Sequence, residues 1–408
     1  MKRMMDKVSR GRTTHWLILL NVLALVCYAG LLKVFGFPGS LDAILLGGLD
    51  ARSYLAAGQQ IFGRETDFLM YDALRFRPFL FSFILALLYS AGPFWVWLFQ
   101  CCCWFLWLNT LFLAGTHLMG GRRLIPLFIS LFALTNAGLV GISLHALSEV
   151  FSMALLGILI LIVARKKHPI QEQAGWLVLL SALLTVIRPV FLLLALFFII
   201  LFLIKTLKEG RKTLYRKAGL FLAALLPVWI QMALMYVHYG EFFISEIGAH
   251  TFRNHLAAQV LMQDRSLPLE EAREAVWAMT QPELYLYLLR EAPISIHIWF
   301  SNLLASFNTP SWFVNYPEYH NLLTKYSLYW NRLSALLFGL SLLVLGWIHL
   351  RRRKWPDLRL LILLFVAASI WLTAGISFGE GDRLLLPALS VQFLLFLYTL
   401  HFLVYEKR

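Results

Sequence analysis

The ionisable residues of this 408-residue chain are few and unevenly placed. Asp42, Asp50, Arg52, Arg64, Glu65, Asp67, Asp72, Arg75 and Arg77 crowd residues 37–78. His145, Ser148 and Glu149 stand at the start of one apolar run. Arg188 sits beside Pro189 inside another, and Glu380, Asp382 and Arg383 precede a third. Arginine suits a phosphate, because the guanidinium fork binds its oxygens bidentately. A carboxylate beside that phosphate suits a general base, taking the proton from an attacking hydroxyl. The set therefore describes a site for an anionic headgroup with an acid or base next to it.

The elements that must position these residues follow from composition. The chain is 60% apolar and only 14% charged, with aromatics at 15%. Soluble domains run to about 45–50% apolar and about 25% charged. A mean hydropathy of +0.71 agrees. These values exclude a soluble enzyme, a disordered tail and a disulfide-stapled secreted domain. They predict an all-α polytopic integral membrane protein. A crossing needs about 20 apolar residues. Such runs cover residues 16–36, 94–119, 124–140, 147–164, 220–239, 333–350, 358–376 and 385–405. Residues 174–204 are too long for one crossing, and Arg188-Pro189 divides them into two. Residues 79–91 are apolar but short, and read as a half-length or re-entrant helix.

Charge placement sets the orientation. The net charge is +14. Six clusters hold 23 of the 36 basic residues: residues 2–12, 122–123, 165–167, 205–217, 351–359 and 407–408. The same loops hold five acids, Asp6, Glu172, Glu209, Asp357 and Glu406, so they carry +18 against −4 for everything else. Lys and Arg mark the cytoplasmic side. Ten crossings put every basic cluster and both termini inside. The basic excess is thus a topology signal, and it gives no support for nucleic acid. No cleavable signal is expected, because the first apolar run is long and lacks a small-residue cleavage site. The unusual polar residues all fall at outer helix ends, where an ionisable group is costly and a functional candidate. Pro268-Leu269-Glu270-Glu271 reads as a helix start, with acids in its first turn. Residues 284–304 read as helix on or near the membrane surface.

Structural roles compete with these assignments. Arg75 and Arg77 flank a helix start and could snorkel to the interface. Glu149 with His145, and Asp382 with Arg383, could be structural polar pairs. Glu270 to Glu274 reads as a solvated helix face. His238, His250 and His255 have no metal spacing, and His297 and His320 are isolated. Cys27 and Cys101-Cys102-Cys103 lie in apolar runs, so no disulfide framework is expected. No phosphate-cradling glycine motif occurs, which argues against an ATP-driven pump and against a cytosolic sugar-nucleotide transferase.

Five local features resemble the GT-C superfamily of membrane glycosyltransferases, in the branch related to protein O-mannosyltransferases and the aminoarabinose transferase of lipid A. They are Leu49-Asp50-Ala51-Arg52-Ser53-Tyr54-Leu55-Ala56-Ala57, Arg75-Phe76-Arg77-Pro78-Phe79-Leu80, His145-Ala146-Leu147-Ser148-Glu149, Ile187-Arg188-Pro189 and Arg383-Leu384-Leu385-Leu386-Pro387. The likeness spans most of residues 15–400 in order and spacing. It departs at Arg52, where the family often has a second acid, and at Leu384, where Tyr is usual. No large domain is expected after the last helix.

The resemblance implies a GT-C-like bundle of about 10–12 transmembrane helices. Its parts would be an N-terminal transmembrane module, 1–238, with the first outer loop at 37–78, an extracytoplasmic loop with amphipathic helices, 239–330, and C-terminal transmembrane helices, 331–408. It implies a polyprenyl-phosphate-linked sugar donor and a lipid, glycan or protein acceptor, used on the outer face of a bacterial inner membrane. Asp50 would be the catalytic base, and Arg75, Arg77, Arg188 and Arg383 would hold the donor phosphate. Tyr54, His145, Glu149 and Asp382 would orient sugar or acceptor. No metal ligand is assigned and no cofactor is required, although some relatives use a divalent cation. A polysaccharide polymerase or ligase of the O-antigen type would instead place its key residues around Arg253, His255 and Arg265. A transporter or flippase would favour ionisable residues at the bilayer midplane and inverted repeats, which the sequence lacks.

Overall fold

The structure, a computed structural model, describes residues 2–35, 40–64, 72–121, 123–165, 173–208, 211–309, 320–352, 357–377 and 381–405. Every regular element among them is helical. In chain order these are α1 (Lys2–Phe35), α2 (Leu41–Leu45), α3 (Leu49–Ile61), α4 (Ala73–Phe76), α5 (Phe79–Ser90), α6 (Pro93–Leu118) and α7 (Leu124–Thr135). There follow α8 (Ala137–Gly141), α9 (Ser148–Ala164), α10 (Ala174–Thr185), α11 (Leu192–Lys208), α12 (Arg211–Ala224), α13 (Leu226–Tyr239) and α14 (Ile247–Thr251). The last seven are α15 (Ala258–Arg265), α16 (Leu269–Ala278), α17 (Gln281–Arg290), α18 (Ala292–Asn308), α19 (His320–Arg352), α20 (Leu358–Ala374) and α21 (Leu386–Tyr405).

Five helical stretches are long and apolar enough to cross a membrane: Thr13–Gly30, Pro93–Leu118, Pro189–Lys208, Lys325–Arg351 and Leu386–Val404. The pair Lys217–Ala224 and Leu226–Tyr239, bent by 52°, passes the same test only when its two helices are taken together. Other apolar runs give shorter helices, and three of them have a local reason. Run 124–140 breaks at Asn136, whose side chain accepts from the Leu139 N–H at 3.0 Å and starts α8. Run 174–204 breaks at Arg188. The residue before a proline is pushed to extended backbone, and Arg188 has φ −144° and ψ 114°. Run 79–91 gives the 12-residue α5, the short helix its length predicts.

A large apolar core joins α6, α7, α9, α10, α20 and α21 around Trp104, Trp107, Phe112, Leu156 and Leu389. Gly157 lets α9 press on α6, since a Cβ there would run into Thr110 and Trp107. A second core places the candidate residues. Ala51, Tyr54 and Leu55 of α3 pack on Phe81, Leu85 and Ala86 of α5, and on Ala146, Leu147 and Ile187. The α3–α5 contact needs Gly58, because a Cβ would collide with the Ser82 carbonyl and with Ala86. The helix bearing Asp50 is thereby fixed against the start of α9 and the end of α10.

Helices α15 to α18 have their own small core, including Val260, Leu261, Val276, Leu284 and Leu288. The expected start at Pro268 is there, with Glu270 and Glu271 in the first turn of α16. Residues 284–304 form two helices, α17 and α18, separated at Glu291.

Candidate active site

Asp50 sits in the first turn of α3. A helix N-terminus favours a carboxylate there, through its free N–H groups and dipole. Four residues on, Tyr54 lies on the same face and donates or accepts at Ser148 Oγ over 2.8 Å. Arg77 lies between α4 and α5. Pro78 forces it to extended backbone, φ −107° and ψ 119°. Its Nε donates to Ser53 Oγ at 2.8 Å, its Nη2 pairs with Asp50, and its guanidinium lies 4.8 Å from the Tyr54 ring. Arg383 comes from the 3-10 turn Gly381–Leu384, ahead of α21. Its Nη1 pairs with Asp50 and its Nε with Glu149, in the first turn of α9. Arg188 Nη2 stands 3.5 Å from Glu149 Oε1.

The result is a ladder of alternating charge, Arg77, Asp50, Arg383, Glu149 and Arg188. Among the described residues three guanidinium groups face two carboxylates. The ladder is largely dry. Glu149 is fully buried, and Arg77 and Arg383 are 7% and 6% exposed. Burial alone would raise the Asp50 pKa. The charges of Arg383 and Arg77 overcome this and hold the carboxyl well below the usual carboxylate range. Asp50 is thus ionised and tightly held.

Beside the ladder lies a cavity of about 260 Å³. Its lining combines polar Asp50, Tyr54, Arg77, Arg188 and Arg383 with apolar Val190, Phe191, Ile247, Ile370, Leu384 and Pro387. Guanidinium groups and apolar side chains together suit an anionic group that carries an apolar tail. Among the described residues no group of three or more His, Cys, Asp and Glu side chains is placed to hold a metal. Both carboxylates of the ladder are held by guanidinium groups, an arrangement unsuited to a divalent cation.

Of the residues singled out in sequence, Asp50, Tyr54, Arg77, Arg188 and Arg383 meet at the cavity, with Glu149 directly behind. Arg75 is not brought there. It pairs with Glu246 at 2.5 Å and with Glu241 at 3.8 Å, over the rings of Tyr239 and Phe243. His145 is buried, and its Nδ1 is 2.8 Å from the Ile44 carbonyl. It lies outside the cavity lining. The side chain of Asp382 lies outside the described residues, as do Glu65, Asp67 and Glu380. Arg253 is buried and spends its Nη1 on the carbonyls of Val276 and Met279, at 2.8 and 3.1 Å.

Sequence reasoning missed a brace behind Arg77. Gln231 Oε1 accepts from the Phe79 N–H at 2.8 Å, and its Nε2 donates to the Ile244 carbonyl at 2.6 Å. Ser245 Oγ donates to the Phe76 carbonyl, and the Glu246 N–H to the Arg75 carbonyl at 3.1 Å. Residues 75–79 are therefore pinned to residues 231–246. The one available signal was Gln231 itself, a lone amide in the apolar run 220–239.

Comparison of the chain with known protein families, with curated proteins and with solved structures finds no match in any of the three.

Proposed function

We propose that the chain is an inverting glycosyltransferase, taking a sugar from a polyprenyl-monophosphate donor to an acceptor hydroxyl at the outer face of a membrane. The observation that carries this reading is the Asp50 carboxylate, held between two buried arginines at the wall of a cavity lined by both charged and apolar side chains. In this reading the donor phosphodiester meets the guanidinium groups of Arg77, Arg188 and Arg383 at the cavity wall. Its lipid chain runs along Val190, Phe191 and Ile370. The meeting of Asp50 with Arg77, Arg188 and Arg383 at one cavity favours this reading over the polymerase one, which would rest on the surroundings of Arg253. The use of Arg253 by backbone carbonyls points the same way.

The chemistry is as follows. The phosphate draws Arg383 and Arg77 towards itself and loosens their hold on Asp50. Asp50 then becomes a stronger base and takes the acceptor O–H proton. The acceptor oxygen forms its bond to the anomeric carbon as the bond to the phosphate oxygen breaks. The electron pair leaves on polyprenyl phosphate, whose developing charge Arg77, Arg188 and Arg383 stabilise. Attack opposite the leaving group inverts the anomeric centre. In this reading the shorter apolar helices complete a bundle of about ten crossings, of the GT-C kind, in a bacterial inner membrane.

The test is release of polyprenyl phosphate from a panel of polyprenyl-monophosphate sugars by the purified protein, with wild type beside Asp50→Asn. Release by wild type and at least a hundredfold less by the variant is expected. Equal rates in both would remove Asp50 from the role of base and turn attention to the polymerase reading.

A further inference from the structure

The cavity does not end at Phe76. Helix α14 gives it Ile247, Gly248 and Thr251. His250, from the same turn, packs edge-on against the Phe76 ring, with centroids 5.2 Å apart and planes at 81°. Beyond His250 stands Trp277 of α16, with ring centroids 5.9 Å apart. Three rings thus form a lane leading away from Asp50 and Arg77.

Trp277 is not placed there by core packing, since half of its surface is exposed. It is nevertheless held firmly. Its Nε1 donates to Asn254 Oδ1 at 2.7 Å, and Asn254 Nδ2 donates to His250 Nε2 at 2.9 Å. The Arg253 guanidinium lies 5.1 Å from its ring centroid, anchored on the Val276 and Met279 carbonyls. Arg253 and Asn254 come from the π-helical turn Phe252–Ala257, a geometry that recurs mainly at functional sites. At the rim, Arg273 donates to the Asn254 carbonyl at 3.3 Å and pairs with the exposed Glu270 at 2.6 Å.

We propose that the shelf of His250, Asn254, Arg273 and Trp277 is a sugar-binding subsite, which seats a hydroxyl-rich acceptor chain leading into the cavity. A pyranose ring offers a C–H face and an edge of vicinal hydroxyls. A fixed indole face takes the first, and guanidinium and carboxylate groups take the second. Pre-fixing the indole also lowers the ordering cost of binding. A lipid surface fits less well, because α16 also exposes Glu270, Glu271 and Glu274, whose carboxylates need water. The word acceptor rests on the glycosyltransferase reading, whereas sugar binding by the shelf does not.

The test is direct binding, with no donor present, to the full chain in nanodiscs. Maltohexaose, chitohexaose and hexagalacturonate serve as probes, followed by saturation-transfer NMR and calorimetry. Binding of at least one probe is expected. Trp277→Ala weakens it about tenfold, Trp277→Phe restores most of it, and Arg273→Ala weakens it severalfold. Trp277→Phe and Arg273→Ala carry the result if Trp277→Ala does not fold. Binding of no probe, or binding indifferent to all three variants, overturns the shelf. So does quenching by brominated lipids of fluorescence that Trp277→Phe removes, since the bilayer would then cover the ring. Trp277-dependent binding in a protein that releases no polyprenyl phosphate would leave the shelf standing and overturn the transferase reading. Release without hexaose binding would do the reverse.

Discussion

Arg383 and Asp50 lie 333 residues apart in the chain and meet as an ion pair. The same guanidinium reaches Glu149, so one side chain ties the N-terminal turns of α3 and α9 to the entry of α21. Without it Asp50 keeps Arg77 and Glu149 keeps Arg188, but two buried hydrogen bonds between charged groups are lost, at about 1.5–3 kcal/mol each. Arg383→Ala is therefore expected to lower the melting temperature in detergent sharply and to abolish donor turnover. Arg383→Lys keeps the charge but not the fork that reaches both carboxylates, and is expected to recover only part of the stability. Thermal unfolding of the two variants side by side checks this.

The three arginines at the cavity and the one outside it separate cleanly. Arg188→Ala is expected to weaken donor binding by tenfold or more, since a hydrogen bond to a charged group is worth about 1.5–3 kcal/mol. Arg75→Ala removes an ion pair that is about one-third exposed on the arginine side, worth about 1 kcal/mol at most. It should change donor affinity less than threefold. Titration of a polyprenyl-phosphate sugar against both variants decides.

Gln231 holds two backbone groups at once. Gln231→Leu strands the Phe79 N–H and the Ile244 carbonyl. Leaving a buried backbone group unpaired costs about 1–3 kcal/mol, so a lower melting temperature is expected. The brace behind Arg77 also slackens, and hydrogen exchange of the amides in residues 75–79 should quicken.

His145 gives a pH dependence of stability. Burial pushes its imidazole from 6.5 down to about 4, and the Arg383 charge acts in the same direction. Between those values the unfolded chain binds a proton that the folded protein does not. Stability is thus full above pH about 6.5 and falls as the pH drops towards 4, by about 3 kcal/mol at most. Burial, followed by the nearby Arg273, lowers His250 as well, adding to the same slope. His145→Gln should flatten the curve of melting temperature against pH, leaving the His250 part. Asp50 contributes with the usual carboxylate sign, its share being lost only below its ordinary pKa of 3.8.

Gly58 sets how closely α3, with Asp50, approaches α5, which follows Arg77. Gly58→Ala puts a methyl group against the Ser82 carbonyl and Ala86. Overpacking of this kind costs about 1–3 kcal/mol, and here it would also part α3 from α5, and so Asp50 from Arg77. Loss of donor turnover larger than the loss of stability is the expected outcome, read from turnover at a temperature where the variant remains folded.

The sequence by itself determined what depends on composition and on near neighbours. Sixty per cent apolar residues require a membrane setting, because so few polar groups cannot cover a soluble surface. The break at Arg188-Pro189, the short α5 and the start of α16 after Pro268 follow from rules that act within a few residues. The residue types of the site were legible too, since an arginine or acid at the edge of an apolar run is costly enough to stand out. Only the tertiary structure decided the pairing. Arg75 and Arg77 are two residues apart and look alike in sequence, yet one faces Glu246 and the other Asp50. An ion pair carries no local pattern. Its partner is whichever charge the packing of distant helices brings near, and here that packing turns on contacts such as Gly58 against Ser82 and Gly157 against Thr110. The aromatic lane to Trp277 has the same origin, since Phe76, His250 and Trp277 become neighbours only when α14 and α16 fold over the entry to α5.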